Sequence, residues 1–116
     1  MRVDEVKYVI AKAPGSIANL GPGFDILSIA ISGVYDIVEV FSTSGNGKIY
    51  VDSKGFDVPS GESNVAYTVA KSFIEKYDIK NVDLYIKVVK GVPPASGLGS
   101  SGATSAATAF ALAKLF

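Results

Sequence analysis

The chain of 116 residues contains no cysteine, no histidine and no tryptophan. Without cysteine there are no disulfides, no thiolate zinc sites and no cysteine nucleophile. Without histidine there is no serine–histidine catalysis, none of the usual zinc centres and no imidazole acid–base chemistry. An excess of one charge sign is missing as well, since eleven basic residues balance eleven acidic ones. The basic residues are scattered, with no arm or patch, which argues against nucleic acid or a membrane surface as partner. The N-terminus carries Asp4 and Glu5 and lacks the apolar core of a signal peptide. The apolar C-terminal stretch is shorter than the roughly 20 residues that cross a bilayer. These absences make a cytoplasmic protein the expectation, with neither a nucleic-acid nor a membrane partner. They also leave only backbone amides, hydroxyls, carboxylates, carboxamides and basic side chains for chemistry. Phosphoryl transfer suits that inventory, because it depends mainly on positioning and electrostatics.

What is present describes an ordered globular chain, 48% hydrophobic and 19% charged, long enough for a hydrophobic core. Val6 to Ala13 reads as a first strand, ended by Pro14-Gly15. Residues 18–25 read as a loop, because Asn19, Gly21, Pro22 and Gly23 are strong breakers. Ile26 to Phe41 is rich in Ile and Val and reads as a long strand, bent near Gly33. Gly45-Asn46-Gly47 has hairpin-turn character, and Lys48 to Asp52 follows as a strand. Asn64 to Tyr77 places Val65, Val69 and Phe73 on one helical face, with Ser63 or Asn64 near its N-cap. Val82 to Val89 is a further strand, and Ala103 to Phe116 a buried, alanine-rich helix. Strands and helices mix without regular alternation, which favours an α+β fold.

Between the last strand and the last helix lies Gly91-Val92-Pro93-Pro94-Ala95-Ser96-Gly97-Leu98-Gly99-Ser100-Ser101-Gly102-Ala103. Glycines let neighbouring backbone N–H groups turn toward one point without a Cβ in the way. A helix start adds N–H groups without intrahelical partners and a partial positive charge of about half a unit. Together they make an anion site, with phosphate the usual occupant. No lysine follows the glycines as a P-loop requires, and the dinucleotide GxGxxG pattern is missing. The alternative is a plain turn in which Ser100 or Ser101 caps the helix.

The string from Pro93 to Ala103 resembles the phosphate loop of the GHMP kinases. A second string, Ala13-Pro14-Gly15-Ser16-Ile17-Ala18-Asn19-Leu20-Gly21-Pro22-Gly23-Phe24-Asp25, is similar to the N-terminal substrate motif of the homoserine kinases within that superfamily. Mevalonate and galactose kinases usually carry a lysine or arginine and a Gly-Glu-His there. This chain has Ser16 at the basic position and no histidine. The resemblance covers nearly the whole chain and rests on two motifs roughly seventy residues apart.

That resemblance implies a GHMP-kinase N-terminal domain over residues 1–116, with a mixed sheet packed on helices and a left-handed β-α-β unit. It implies ATP and Mg²⁺ as cofactors, L-homoserine as the small-molecule substrate, and O-phospho-L-homoserine as product, on the way to threonine. Pro93, Pro94, Ala95, Ser96, Gly97, Leu98, Gly99, Ser100, Ser101, Gly102 and Ala103 would cradle the nucleotide phosphates. Ser101 would reach Mg²⁺, against the plainer reading of a helix cap. Asn64 would lie near the adenine or ribose, against an equally plain role as cap of its helix. Asn19 and Asp25 would bind the amino-acid acceptor, against a role in stabilising a glycine-rich turn. Lys87 and Lys90 are assigned nothing, since lysines on strand faces are usually solvated. No general base stands out, and a loose transition state needs little early deprotonation.

Two further readings stay open: another GHMP kinase, of shikimate or mevalonate type, and a nucleotide-binding module without catalysis. The family is often dimeric, so a homodimer is among the expectations. The sequence stops at Phe116 inside an apolar helix with no stop signal. Family members are longer, so the chain is expected to be the first domain of two, lacking the C-terminal GHMP domain and the acidic Mg²⁺ ligand.

Overall fold

The computed structural model describes residues 7–18, 28–56, 58–93 and 100–116. Four strands and two α-helices follow in the order β1 (Lys7–Ala18), β2 (Ser28–Ser44), β3 (Ile49–Gly55), α1 (Val65–Lys76), β4 (Val82–Lys90) and α2 (Ser100–Leu115). A short 3₁₀ turn, Gly61–Ser63, precedes α1. The sheet order is β1-β2-β4-β3, with β1–β2 and β2–β4 antiparallel and β3–β4 parallel. This is the mixed, α+β sheet implied by the resemblance, and β3–α1–β4 is its β-α-β unit.

The period-2 pattern of β4 decides which face is covered. Val82, Leu84, Ile86, Val88 and Lys90 are buried, while Asp83, Tyr85, Lys87 and Val89 turn to the opposite face and stay half-buried. On β2 the matching inward set is Asp36, Val38, Val40 and Ser42. Both helices lie over this face, α2 against β1 and β2, and α1 against β3 and α2. Helix α2 presents Ala103, Thr104, Ala107, Thr108, Ala111 and Leu112, all buried. That i, i+1, i+4, i+5 stripe of small residues lets its backbone come close to Ala11 and Ala13 of β1. At the centre, Leu84, Leu112, Val38, Val40, Val88 and Val92 are fully enclosed. Helix α1 begins where Asn64 caps it, accepting a hydrogen bond from the Ala66 N–H at 2.9 Å.

Three expectations are corrected. Pro14-Gly15 does not end the first strand. The β1–β2 register instead shifts there, from Pro14 opposite Tyr35 to Gly15 opposite Ile31, and β1 continues to Ala18. A proline is tolerated because β1 is an edge strand, and Gly33, at φ 82°, helps β2 absorb the extra residues. Nor does Gly45-Asn46-Gly47 make a hairpin, since β4 lies between β2 and β3. The turn is held from the β4 side: Gly45 N donates to Asn81 O, Gly47 N to Val82 O, and Asn46 N and Lys48 N to the Asp83 carboxylate at 2.9 Å each. Finally, α2 starts at Ser100 rather than Ala103, so Ser100 to Ala103 form its first turn and Gly102 lies inside the helix.

Candidate functional site

The candidate site lies where β4 ends and α2 begins. Lys90 is the last residue of β4, and Gly91 follows with its backbone pressed against β2. A Cβ at Gly91 would collide with the Tyr35 carbonyl oxygen, so the close approach needs glycine. Val92 is enclosed by the core and Pro93 is half-buried.

Beneath this junction lies a buried polar cluster. The Asp36 side chain is fully buried, and its Oδ1 accepts hydrogen bonds from the backbone N–H groups of Gly91 at 2.9 Å and Val92 at 3.0 Å. Its Oδ2 accepts from Lys90 Nζ at 2.6 Å and from the Thr104 hydroxyl at 2.6 Å. Lys90 Nζ also lies 3.0 Å from Thr104 Oγ1, and Thr108 Oγ1 donates to the Thr104 carbonyl at 2.7 Å. One carboxylate on β2 thus holds the end of β4 and the second turn of α2 together. Charge-assisted bonds of this length are the stronger kind, and each fills an otherwise costly buried site.

Lys90 therefore corrects the expectation for the two lysines: it is buried and ion-paired, whereas Lys87 stands on the outer face 3.9 Å from Glu39. Asp36 and Thr104 were missed altogether. The signal was in the strand period, which places Lys90 in line with Val82, Leu84, Ile86 and Val88, and Asp36 in line with Val38 and Val40. Charges that share a core face in two strands call for one another.

The first turn of α2 suits an anion. It carries no acidic side chain, Ser101 is exposed, and a Cβ at Gly102 would meet open space. Ala103 faces the core. Ser101 offers one hydroxyl oxygen, and no cluster of three potential metal-ligating side chains occurs among the described residues. A hard cation there would depend mostly on oxygens of a bound phosphate and on water. Asn64 is buried and its side chain is engaged twice, with Oδ1 on the Ala66 N–H and Nδ2 donating to the Pro59 carbonyl at 2.8 Å. Pro94, Ala95, Ser96, Gly97, Leu98 and Gly99, and likewise Asn19 and Asp25, lie outside the described residues.

The opposite face of the sheet bears a row of aromatic rings. Tyr8, Phe41, Tyr85 and Tyr50 occupy one register line across all four strands. Phe41 and Tyr50 stack on Tyr85 at 4.7 and 4.9 Å between centroids. A cleft of about 690 Å³ runs along them to Gly61, Glu62 and Tyr67. Tyr8 donates to Glu39 at 2.6 Å, which holds the phenol above its usual pKa. Lys54 is held below the ordinary lysine range by the neighbouring Lys87. At the sheet's end the backbone N–H groups of the 45–48 turn, that of Lys48 foremost, hold the Asp83 carboxyl below the usual carboxylate range.

Residues 64–116 match the family described as GHMP kinases N terminal domain. Its sequence relatives include homoserine kinases. The homoserine kinase of Methanococcus maripaludis is 45% identical over 113 residues, covering 96% of this chain and 37% of that protein. That of Pyrococcus horikoshii is 43% identical over 106 residues, covering 90% of this chain and 34% of the relative. Among solved structures, homoserine kinase from Cytophaga hutchinsonii superposes with a TM-score of 0.82 at 28% identity, over 93% of this chain and 35% of that one. The Methanococcus jannaschii mevalonate kinase shares the fold, with a TM-score of 0.74 at 17% identity over 93% of this chain and 40% of that one. The chain thus spans little more than a third of the curated relatives it matches.

Proposed function

We propose that this chain is the nucleotide-binding N-terminal part of a homoserine kinase, an ATP-dependent enzyme that phosphorylates the side-chain hydroxyl of L-homoserine. The observation that carries the reading is 45% identity over 96% of the chain to a homoserine kinase. An α2 first turn free of acidic side chains, with Ser101 exposed, supports phosphate binding there.

In this reading residues 93–103 surround the ATP phosphates, Ala95 to Ala103 offering backbone N–H groups that Pro93 and Pro94 lack, and the α2 terminus adds its partial charge. Ser101 would supply a hydroxyl oxygen to Mg²⁺, with the carboxylate ligand expected beyond residue 116. When bound, Mg²⁺ would neutralise charge building on the phosphate oxygens. Asn64 fixes the start of α1 beside the nucleoside. Asn19 and Asp25 receive the ammonium and hydroxyl of homoserine, so that the hydroxyl oxygen is held in line with the γ-phosphorus. No strong base is required of this segment.

Steady-state kinetics of the full-length protein test the residue assignments. Asp25→Ala is expected to raise KM for homoserine and leave KM for ATP near wild type. Ser101→Ala is expected to lower kcat at saturating ATP, with the loss partly relieved by excess Mg²⁺. If Asp25→Ala changed only the ATP constants, the acceptor assignment would be wrong.

A further inference from the structure

We propose that Asp36, acting with Lys90 and Thr104, is a positioning residue for the phosphate-binding segment. It ties the backbone of Gly91 and Val92 at the end of β4 to Thr104 of α2, and so fixes where the first turn of α2 stands relative to β4. The proposal rests on the nucleotide reading above and adds to it residues that never touch the nucleotide.

The geometry is specific. Both oxygens of one buried carboxylate are used, and they are divided between the two flanks of residues 93–103. Oδ1 takes the N–H groups of Gly91 and Val92, on the upstream flank. Oδ2 takes Thr104, one helical turn into α2 on the downstream flank, together with the Lys90 ammonium that closes the ring. Glycine at 91 allows this, because any larger residue would meet the Tyr35 carbonyl.

Stability alone is a weak reason for such a cluster, since a buried ion pair often does no better than an apolar replacement of the same shape. Its distinctive property is directional: four donors converge on one group, and both flanks are tied to the same point on β2. Backbone donors aimed at a phosphate work only when held in place beforehand, and ångström-scale misplacement is costly.

Thr104→Val and Thr104→Ser in the full-length protein test this. Valine keeps the shape of threonine and removes the hydroxyl that ties α2 to Asp36, while the Asp36–Lys90 pair and the backbone bonds remain. Three readouts are needed: the Mg-ATP dissociation constant, KM for each substrate, and amide hydrogen exchange over residues 91–103 without nucleotide. Thr104→Val is expected to keep a folded far-UV spectrum, to bind Mg-ATP about tenfold more weakly, and to exchange faster across 91–103. KM for homoserine should stay within about twofold, and Thr104→Ser should restore both nucleotide affinity and protection. Wild-type nucleotide affinity in Thr104→Val would overturn the positioning role, as would equal losses in the valine and serine variants. If the wild-type protein bound no Mg-ATP, the nucleotide reading itself would fail. The exchange data would still report whether Asp36 ties the two flanks together.

Discussion

Replacing Asp36 separates the parts of the cluster by their energies. Asp36→Ala removes the acceptor of four hydrogen bonds at once, from Gly91 N, Val92 N, Lys90 Nζ and Thr104 Oγ1. Removing one partner of a buried ion pair costs about 3–5 kcal/mol. The two backbone N–H groups add about 1–3 kcal/mol each where water cannot reach them, and less at Gly91, which is half-buried. The sum exceeds about 5 kcal/mol, comparable with the whole stability of a typical domain. Asp36→Asn keeps an oxygen for the two N–H groups but replaces Oδ2 with an NH2, a donor set against the Lys90 ammonium and the Thr104 hydroxyl, so its cost should be about 3–5 kcal/mol. Adding Lys90→Met to Asp36→Asn takes away the buried cation and should recover about 1–3 kcal/mol. Urea unfolding followed by far-UV circular dichroism reads these as midpoint shifts at constant slope. The reasoning is refuted if Asp36→Asn lies within about 1 kcal/mol of wild type, or if Lys90→Met destabilises the Asp36→Asn background further.

Three more expectations rest on single positions. Gly91→Ala should cost about 2 kcal/mol or more, because its Cβ would overlap the Tyr35 carbonyl; a neutral unfolding midpoint would contradict this. Asn64→Ala should lower stability by about 1–2 kcal/mol, since it loses both the α1 cap and the bond to Pro59. Asn64→Asp keeps the cap, so thermal unfolding should rank it between alanine and wild type. Asp83 has a folded pKa below its unfolded value, so its contribution is complete above the unfolded pKa and fades as pH falls through the folded one. Asp83→Asn should therefore flatten the acid limb of the stability–pH profile, and an unchanged limb would show that the 45–48 turn does not depend on that carboxylate.

Much of the fold could be read from patterning, because β4 alternates cleanly and the β-branched run of β2 has no competing helical period. Where the reading failed, a tertiary constraint outweighed a local signal. Pro14-Gly15 looks like a strand end, yet at a sheet edge the missing N–H costs little and a bulge absorbs it. Gly45-Asn46-Gly47 looks like a hairpin, but hydrogen bonds from the β4 side hold it while the chain passes over that strand. Ser100 to Ala103 look like loop because glycine and serine are poor helix formers, yet the stripe behind them draws the helix back to Ser100. For the site, the glycine-rich string and its helix were evident as a junction. The Asp36–Lys90–Thr104 cluster was not, since its members are far apart in sequence and the strand period marks Asp36 and Lys90 as charges on covered faces without saying that they meet. The β2–β4 register brings the two together on one covered face.

Phosphoryl transfer to homoserine is read directly by ADP release from the full-length protein with Mg-ATP and a panel of homoserine, serine, threonine, shikimate and mevalonate. Release dominated by homoserine, and cut sharply by Asp25→Ala, is the predicted result. Release with another acceptor and none with homoserine, or tight Mg-ATP binding with no turnover on any of them, would contradict it.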